Sequence, residues 1–363
     1  MLASEIKFLE YNKNENTLNE IEDYYADIVN GAVSKGDKVA VKVHMGEYGN
    51  LTYLRPPFVS EFVKLVKSAG GRPFVTDTTA LYPKHRFTAK DYLKTAVANG
   101  FTRQSVMAPV VIADGPLGYT GMTYKLKKTV DQCDIKKVKI AKAIVDADSM
   151  IVLSHAKGHV LSGFGGAIKN LAMGCTTKET KAAQHLASRV ILNTKECNGC
   201  GKCVDACPFN ALKIENGKHA KILSRCMSCN SCFFACTEGA LHLPRGGKTR
   251  FQVNLAHAAK AIIDRFDQDK IVYINFLQDI TKLCDCCTPS GAPLVQDIGI
   301  LGGKDPVAVD KASIDLIDKA PRYKRNLTKK HGDLLGSVNE TDSLIHLKTA
   351  SKLGVGTLRY SLK

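Results

Sequence analysis

The chain has 363 residues, 44% of them hydrophobic and 24% charged, a composition that excludes a disordered polypeptide. The length allows two or more domains with a large core, and the absence of any 18-residue apolar run excludes a transmembrane helix. The net charge of +16 concentrates in residues 123–142 (+5), 195–250 (+5) and 319–363 (+7), surfaces suited to an acidic protein, an anionic substrate or nucleic acid.

The N-terminal MLASEIKFLEYNKNENT becomes charged at once and has no apolar signal core, so a cytoplasmic protein is expected. Residues 37–46 (DKVAVKVHMG) predict a buried strand ending in a turn. Residues 56–70 predict a helix that starts on Pro and stops at Gly-Gly. A strand follows at 72–79, a helix at 89–100 and a strand at 108–115, then strand, short helix and strand over 137–153. After a cysteine-rich interruption, the pattern predicts a helix at 255–266, a strand at 270–280 and a helix at 305–320. This alternation predicts an α/β fold: a mainly parallel sheet flanked by helices, with a small module inserted. The expected boundaries are 1–190 and 248–320 for the α/β domain, 191–247 for the insertion and 321–363 for a basic C-terminal extension.

Thirteen cysteines in a chain this long do not make a small disulfide scaffold. Eight of them form two runs of spacing C-x2-C-x2-C-x3-C, shifted by 29 residues. In such runs three cysteines grip one iron–sulfur cubane, and the fourth, beyond a turn, completes the other. One [4Fe-4S] cluster is therefore expected on Cys197, Cys200, Cys203 and Cys236, and a second on Cys226, Cys229, Cys232 and Cys207. Structural zinc usually takes two separated C-x2-C pairs and does not need this pattern. The segment resembles a bacterial two-cluster ferredoxin over about 55 residues, with Pro208 after the first run and Thr237 after the second. Its +5 charge exceeds the roughly −4 that two oxidised clusters bring, which suits docking to an acidic ferredoxin or flavodoxin.

Of the other five cysteines, Cys133 lies in a Lys-rich stretch and Cys175 follows a predicted helix. Cys284, Cys286 and Cys287 fall in C-D-C-C-T-P, a turn that offers a thiolate metal site, a redox-active dithiol or structural thiols. His155 and His159 in S-H-A-K-G-H end a predicted strand, where α/β sheets bind ligands. With Cys175 or the 284–287 thiols they could form a mixed metal site, or serve as proton donor and orienting partner. Gly163, Gly165 and Gly166 precede Lys169 in G-F-G-G-A-I-K-N, a turn into a helix whose free amides could cradle an anionic cofactor. His44, Glu47, Arg55 and Asp77 lie near other strand ends, and Asp297, Asp305 and Asp310 suit caps and turns.

Together K-V-H-M-G-E, F-V-T-D-T, H-A-K-G-H, G-F-G-G-A-I-K-N-L-A-M-G-C, C-D-C and D-I-G-I-L-G-G-K-D-P-V-A-V-D resemble the domain of unknown function 362 family over residues 37–320. That family comprises iron–sulfur-centre proteins of bacteria and archaea, many of them anaerobes, and many carry an inserted two-cluster module. The resemblance implies the two clusters and a shared α/β domain. Cys287 and Thr237 are variants on its pattern.

The expected function is an iron–sulfur oxidoreductase. Electrons would pass through two clusters to a site built from His155, His159, Lys169, Cys284 and Cys286, which acts on a disulfide, a bound metal or an organic cofactor. The alternatives are a non-catalytic ferredoxin-like carrier, which needs no pocket, and a nucleic-acid binder, for which no motif is present.

Overall fold

The computed structural model describes residues 2–11, 16–323 and 330–363. Alternating side chains decide the faces of its central sheet. On β2 (Lys38–Val43), Val39, Val41 and Val43 enter one core and Ala40 the other. The remaining strands are β1 (Ser4–Glu10), β3 (Arg72–Asp77), β4 (Val110–Ile112), β5 (Ser149–His155), β6 (Ile271–Leu277), β7 (Gly299–Gly303) and β8 (Tyr360–Leu362). Their order is β8-β1-β7-β6-β5-β2-β3-β4. Val41 pairs with Val75 of β3 and Ile151 of β5. Only β7 runs antiparallel to its neighbours, so the sheet is mostly parallel as expected.

Helices cover both faces, giving three layers. One core lies under α1 (Thr17–Asn30), α2 (Pro56–Ser68) and α3 (Ala89–Ala98), which contribute Tyr25, Phe62 and Tyr92. The other lies under α4 (Ala167–Gly174), α5 (Lys178–His185), α6 (Gly247–Ile263), α7 (Pro306–Lys319) and α8 (Ile345–Lys352). Strand 137–141, expected in the parallel sheet, instead pairs with 121–125 as a separate hairpin. The basic C-terminal segment is part of the α/β domain, because α8 packs on α6 and β8 extends the sheet beside β1. Residues 324–329 of that segment lie outside the described residues.

The glycine-rich β7 answers a space requirement. A Cβ on Gly302 would lie 2.5 Å from the Tyr25 ring, whose hydroxyl donates to the Ile300 carbonyl at 2.7 Å. Gly302→Ala is expected to destabilise the protein by about 1–3 kcal/mol in urea unfolding, the usual cost of overpacking.

Cysteine-rich residues 191–247 are closed at the base by Ile191–Leu192 pairing with Leu241–His242, and they contain a hairpin, 212–215 with 219–222. Short helices Lys202–Asp205 and Ser231–Ala235 carry Cys203 and Cys232. The 29-residue repeat persists in the backbone. Gly199, Gly201 and Asn210 have positive φ, as do Ser228, Asn230 and Gly239. The segment has its own small core, which includes Ala211, Leu212, Ala220 and Leu241, and Val190, just before the segment, joins that core.

Candidate functional site

The connections out of β2 and β5 leave in opposite directions across the sheet, β2 towards β3 and β5 towards β6. Open α/β sheets bind ligands at such a switch point, beyond the carboxyl ends of the strands. A cavity of about 160 Å³ lies there, and His44, Asp77 and His155 line it. Three residues taken from separate predicted strand ends therefore converge. His159, Gly165, Gly166, Lys169, Cys284 and Cys286 also line the cavity, and Gly163 does not.

Asp285 anchors the C-D-C-C turn. It accepts from His155 Nδ1 at 2.9 Å and from Lys157 Nζ at 2.6 Å, with all three side chains buried. Burial raises the Asp285 carboxyl, but the attraction of His155 and Lys157 outweighs it and holds the group well below the usual carboxylate range. Lys157 also donates to the Thr52 carbonyl at 2.8 Å and hydroxyl at 2.6 Å. His155 Nε2 lies 2.6 Å from the Gln278 carbonyl. Both ring nitrogens thus lie within hydrogen-bond reach of an oxygen of the protein. His155 therefore anchors Asp285, with both ring nitrogens engaged by the protein's own oxygens.

The turn itself carries a disulfide between Cys284 and Cys286. The Cys287 sulfur lies within 4.8 Å of both, so the three are close enough to share one metal ion. Tyr82 donates to the Cys286 carbonyl at 3.2 Å and accepts from Arg86, which pairs with buried Glu47 at 3.0 Å.

Other polar groups complete the wall. Lys42 pairs with Asp77 at 2.9 Å and donates to Asn170 Oδ1 at 2.6 Å. Lys181 donates to Thr78 Oγ1 at 2.8 Å and the Thr176 carbonyl at 2.5 Å. Burial, then the Arg86 charge, lowers His44 to about 3. Burial also holds His159 well below its ordinary value, with Nδ1 at 2.9 Å from the Ser162 hydroxyl. Both rings are therefore neutral at neutral pH. Lys169 is lowered by burial to about 8 and keeps its proton there.

Two amides that follow the glycine turn are not free. The first amides of α4, Ala167 and Ile168, donate to Asp310 Oδ1 and Oδ2 at 2.7 and 3.0 Å. A Cβ on Gly166 would lie 2.3 Å from Asp310 Oδ1. The expected anion cradle is filled by the protein's own carboxylate, delivered from α7. Burial raises Asp310 to about 6 despite those bonds and a third from Asn275. Its folded pKa exceeds the unfolded value of about 3.9. Stability from this group is therefore full below about pH 4 and declines as pH rises through about 6, by on the order of 2–3 kcal/mol. Asp310→Asn is expected to remove that part of the pH dependence in chemical denaturation.

Cys175 is buried in the main core, its thiol pushed up to about 12 by burial, and it does not join the 284–287 sulfurs. Cys133 donates to the Ile135 carbonyl at 3.3 Å, away from the cavity. Arg55 forms an exposed pair with Asp279 at 2.6 Å. Asp305 caps α7 as expected, accepting from Val307 and Ala308.

The eight clustered cysteines sort into two further cavities. One is lined by Cys197, Cys200, Cys203 and Cys236, the other by Cys207, Cys226, Cys229 and Cys232. Cys200 is exposed, and Cys229 also lines the sheet-edge cavity that holds Cys284 and Cys286. Sequence reasoning missed Lys42, Arg86, Lys157, Lys181, His185 and Asp285. Lysines inside an apolar strand (Lys42) and between two histidines (Lys157) were the available signals.

Residues 39–315 match the model of the Domain of unknown function (DUF362). The chain belongs to this family. A thylakoid-associated protein of Synechocystis sp. is 28% identical over 159 residues, covering 42% of this chain and 44% of its own length. Ferredoxin-2 of Desulfomicrobium norvegicum is 48% identical over 29 residues, covering 8% of this chain and 49% of its own. These matches span less than half the length of each curated relative. Among solved structures, a Thermotoga maritima protein aligns with TM-score 0.46 at 10% identity, covering 86% of this chain and 61% of that one. The lactate racemase apoprotein of Thermoanaerobacterium thermosaccharolyticum aligns at 0.34 and 14% identity, covering 65% and 48%. Among the described residues of this DUF362 protein, no helix is long and apolar enough to cross a membrane.

Proposed function

We propose that the protein is an iron–sulfur oxidoreductase in which the Cys284–Cys286 disulfide is the electron acceptor. The observation that carries this reading is Cys229, which lines both a four-cysteine cavity and the cavity that holds the disulfide. The donor sets fit [4Fe-4S] clusters. Each cavity draws three cysteines from one run and one from the other, as interleaved cubane ligation requires. Among the described residues, the only cysteine sulfurs drawn within 4.8 Å in a set of three are those at 284–287. Tetrahedral zinc, with bonds of about 2.3 Å, would gather its sulfurs within such a distance, and no three of the eight cysteines are so gathered. Amides of Ala211 and Ala220 donate to Cys207 and Cys197 sulfurs at 3.2 and 3.4 Å, as they would to thiolates.

Clusters held there would supply single electrons, one from each. Two electrons and two protons convert the Cys284–Cys286 bond into two thiols. Lys169, with a proton it releases near pH 8, lines the same cavity and supplies one of the two protons, and solvent supplies the other. Asp285, fixed by His155 and Lys157, keeps the turn in place whichever state the sulfurs take. Exposed Cys200 and the surrounding positive charge suit an acidic redox protein as the external donor. A simple carrier would not need a cavity bounded by Cys229 and a disulfide.

The test is an anaerobic titration with dithionite. About eight irons per chain are expected. Two new thiols at Cys284 and Cys286, found by mass spectrometry after alkylation, should appear for every two electrons beyond those held by the irons. Irons that reduce and reoxidise without new thiols would sink the reading.

A further inference from the structure

Among the described residues, the cavity has one cation without a partner. Lys42 is bound to Asp77 and Asn170, Arg86 to Glu47, and Lys181 to Thr78 and Thr176. Lys169 lines the same cavity yet makes no hydrogen bond or ion pair among the described residues. A Cβ on Gly165 would lie 2.9 Å from Lys169 Cδ, so glycine there leaves the side chain room in its present path. Apart from burial, Cys287 and Asp285 of the 284–287 turn attract its charge, and Arg86 and Lys42 repel it. An ammonium in a cavity that the disulfide also lines calls for an anion from outside.

The charge left over narrows the class. A phosphate dianion is usually met by several donors, often the amides at a helix start. The nearest such amides, those of Ala167 and Ile168, are taken by Asp310. One ammonium remains, which balances one carboxylate. The volume of about 160 Å³ admits a ligand on the order of ten heavy atoms. We propose that the cavity takes a small monocarboxylate, its carboxylate on Lys169 and its remainder against the Cys284–Cys286 sulfurs. This rests on the reading of the cavity as the site where the turn exchanges electrons.

Iodoacetate and iodoacetamide test it, because they differ chiefly in carrying a carboxylate or a neutral amide. Each alkylates a thiolate by forming a sulfur–carbon bond as iodide leaves, and the thiol proton goes to buffer. The full-length protein is treated anaerobically with a phosphine to open the disulfide, and alkylation at Cys284, Cys286 and Cys287 is followed by mass spectrometry. The iodoacetate-to-iodoacetamide rate ratio should exceed that of N-acetylcysteine about tenfold, the effect of one charge-assisted contact. Lys169→Gln should return the ratio to the N-acetylcysteine value, and Lys169→Arg should keep most of the preference. Butyrate should slow the reaction, and inorganic phosphate at equal concentration should not. A ratio unchanged in Lys169→Gln, or equal protection by phosphate, overturns the proposal. Alkylation needs no electron from the cysteine-rich segment, so failure of the electron-transfer reading would leave this result standing, and the reverse also holds.

Discussion

Cys229→Ala is expected to lower the iron content from about eight to about four per chain and to abolish reductive opening of the Cys284–Cys286 bond. Cys229 lines the inner four-cysteine cavity and the sheet-edge cavity together. Removing it should therefore break the relay where it meets the acceptor. Cys200→Ala gives the contrast. Cys200 is exposed and belongs to the outer set. Its loss should remove a similar amount of iron, yet dithionite, a small reductant, should still open the disulfide through the inner set. Reduction by a protein carrier should fail in both variants. Iron assay, sulfide assay and alkylation mapping read all of this, and circular dichroism shows whether the α/β domain stays folded. Equal thiol yield in wild type and Cys229→Ala would show that the disulfide takes its electrons by another path.

The parallel sheet was legible because its strands are short apolar runs separated by helices with clear stops, such as Gly70-Gly71 after α2. Strand β7 was not. GILGG carries three glycines and no alternation, and its extended form depends on Tyr25 and β1 crossing close by. Strand 137–141 has the right composition but the wrong neighbour, since pairing is a tertiary property. In the cysteine-rich segment the 29-residue spacing was visible, and the matched positive-φ residues show the same repeat in the backbone. Near the cavity, types were legible and roles were not. The glycines of G-F-G-G looked like an anion cradle because sequence does not reveal that Asp310, over 140 residues later, fills it. His155 looked like a ligand for the same reason: its partners Asp285 and Gln278 are remote in the chain. Asp285 itself looked like a spacer between two cysteines, although it holds the turn.

Asp285→Asn is expected to cost about 3–5 kcal/mol, the usual penalty for removing one partner from a buried charged cluster. His155 and Lys157 would keep their places in a closed environment without the carboxylate they face. Thr52 offers Lys157 two oxygens but no charge. Adding Lys157→Met to the first substitution should recover part of the loss, because no ammonium is then left unpaired. The pH dependence follows the same pairing. The folded pKa of Asp285 is depressed, so its contribution is present above the unfolded value of about 3.9 and is lost as pH falls below it. Urea unfolding of the full-length protein at pH 7 and pH 3.5 checks both statements. The gap between wild type and Asp285→Asn should be largest at pH 7 and shrink at the lower pH. A difference under about 1 kcal/mol at pH 7 would mean that water reaches the cluster and screens it. The turn would then be held by the Tyr82 contact to Cys286 and the Asn50 contact to the Cys287 carbonyl at 2.9 Å instead.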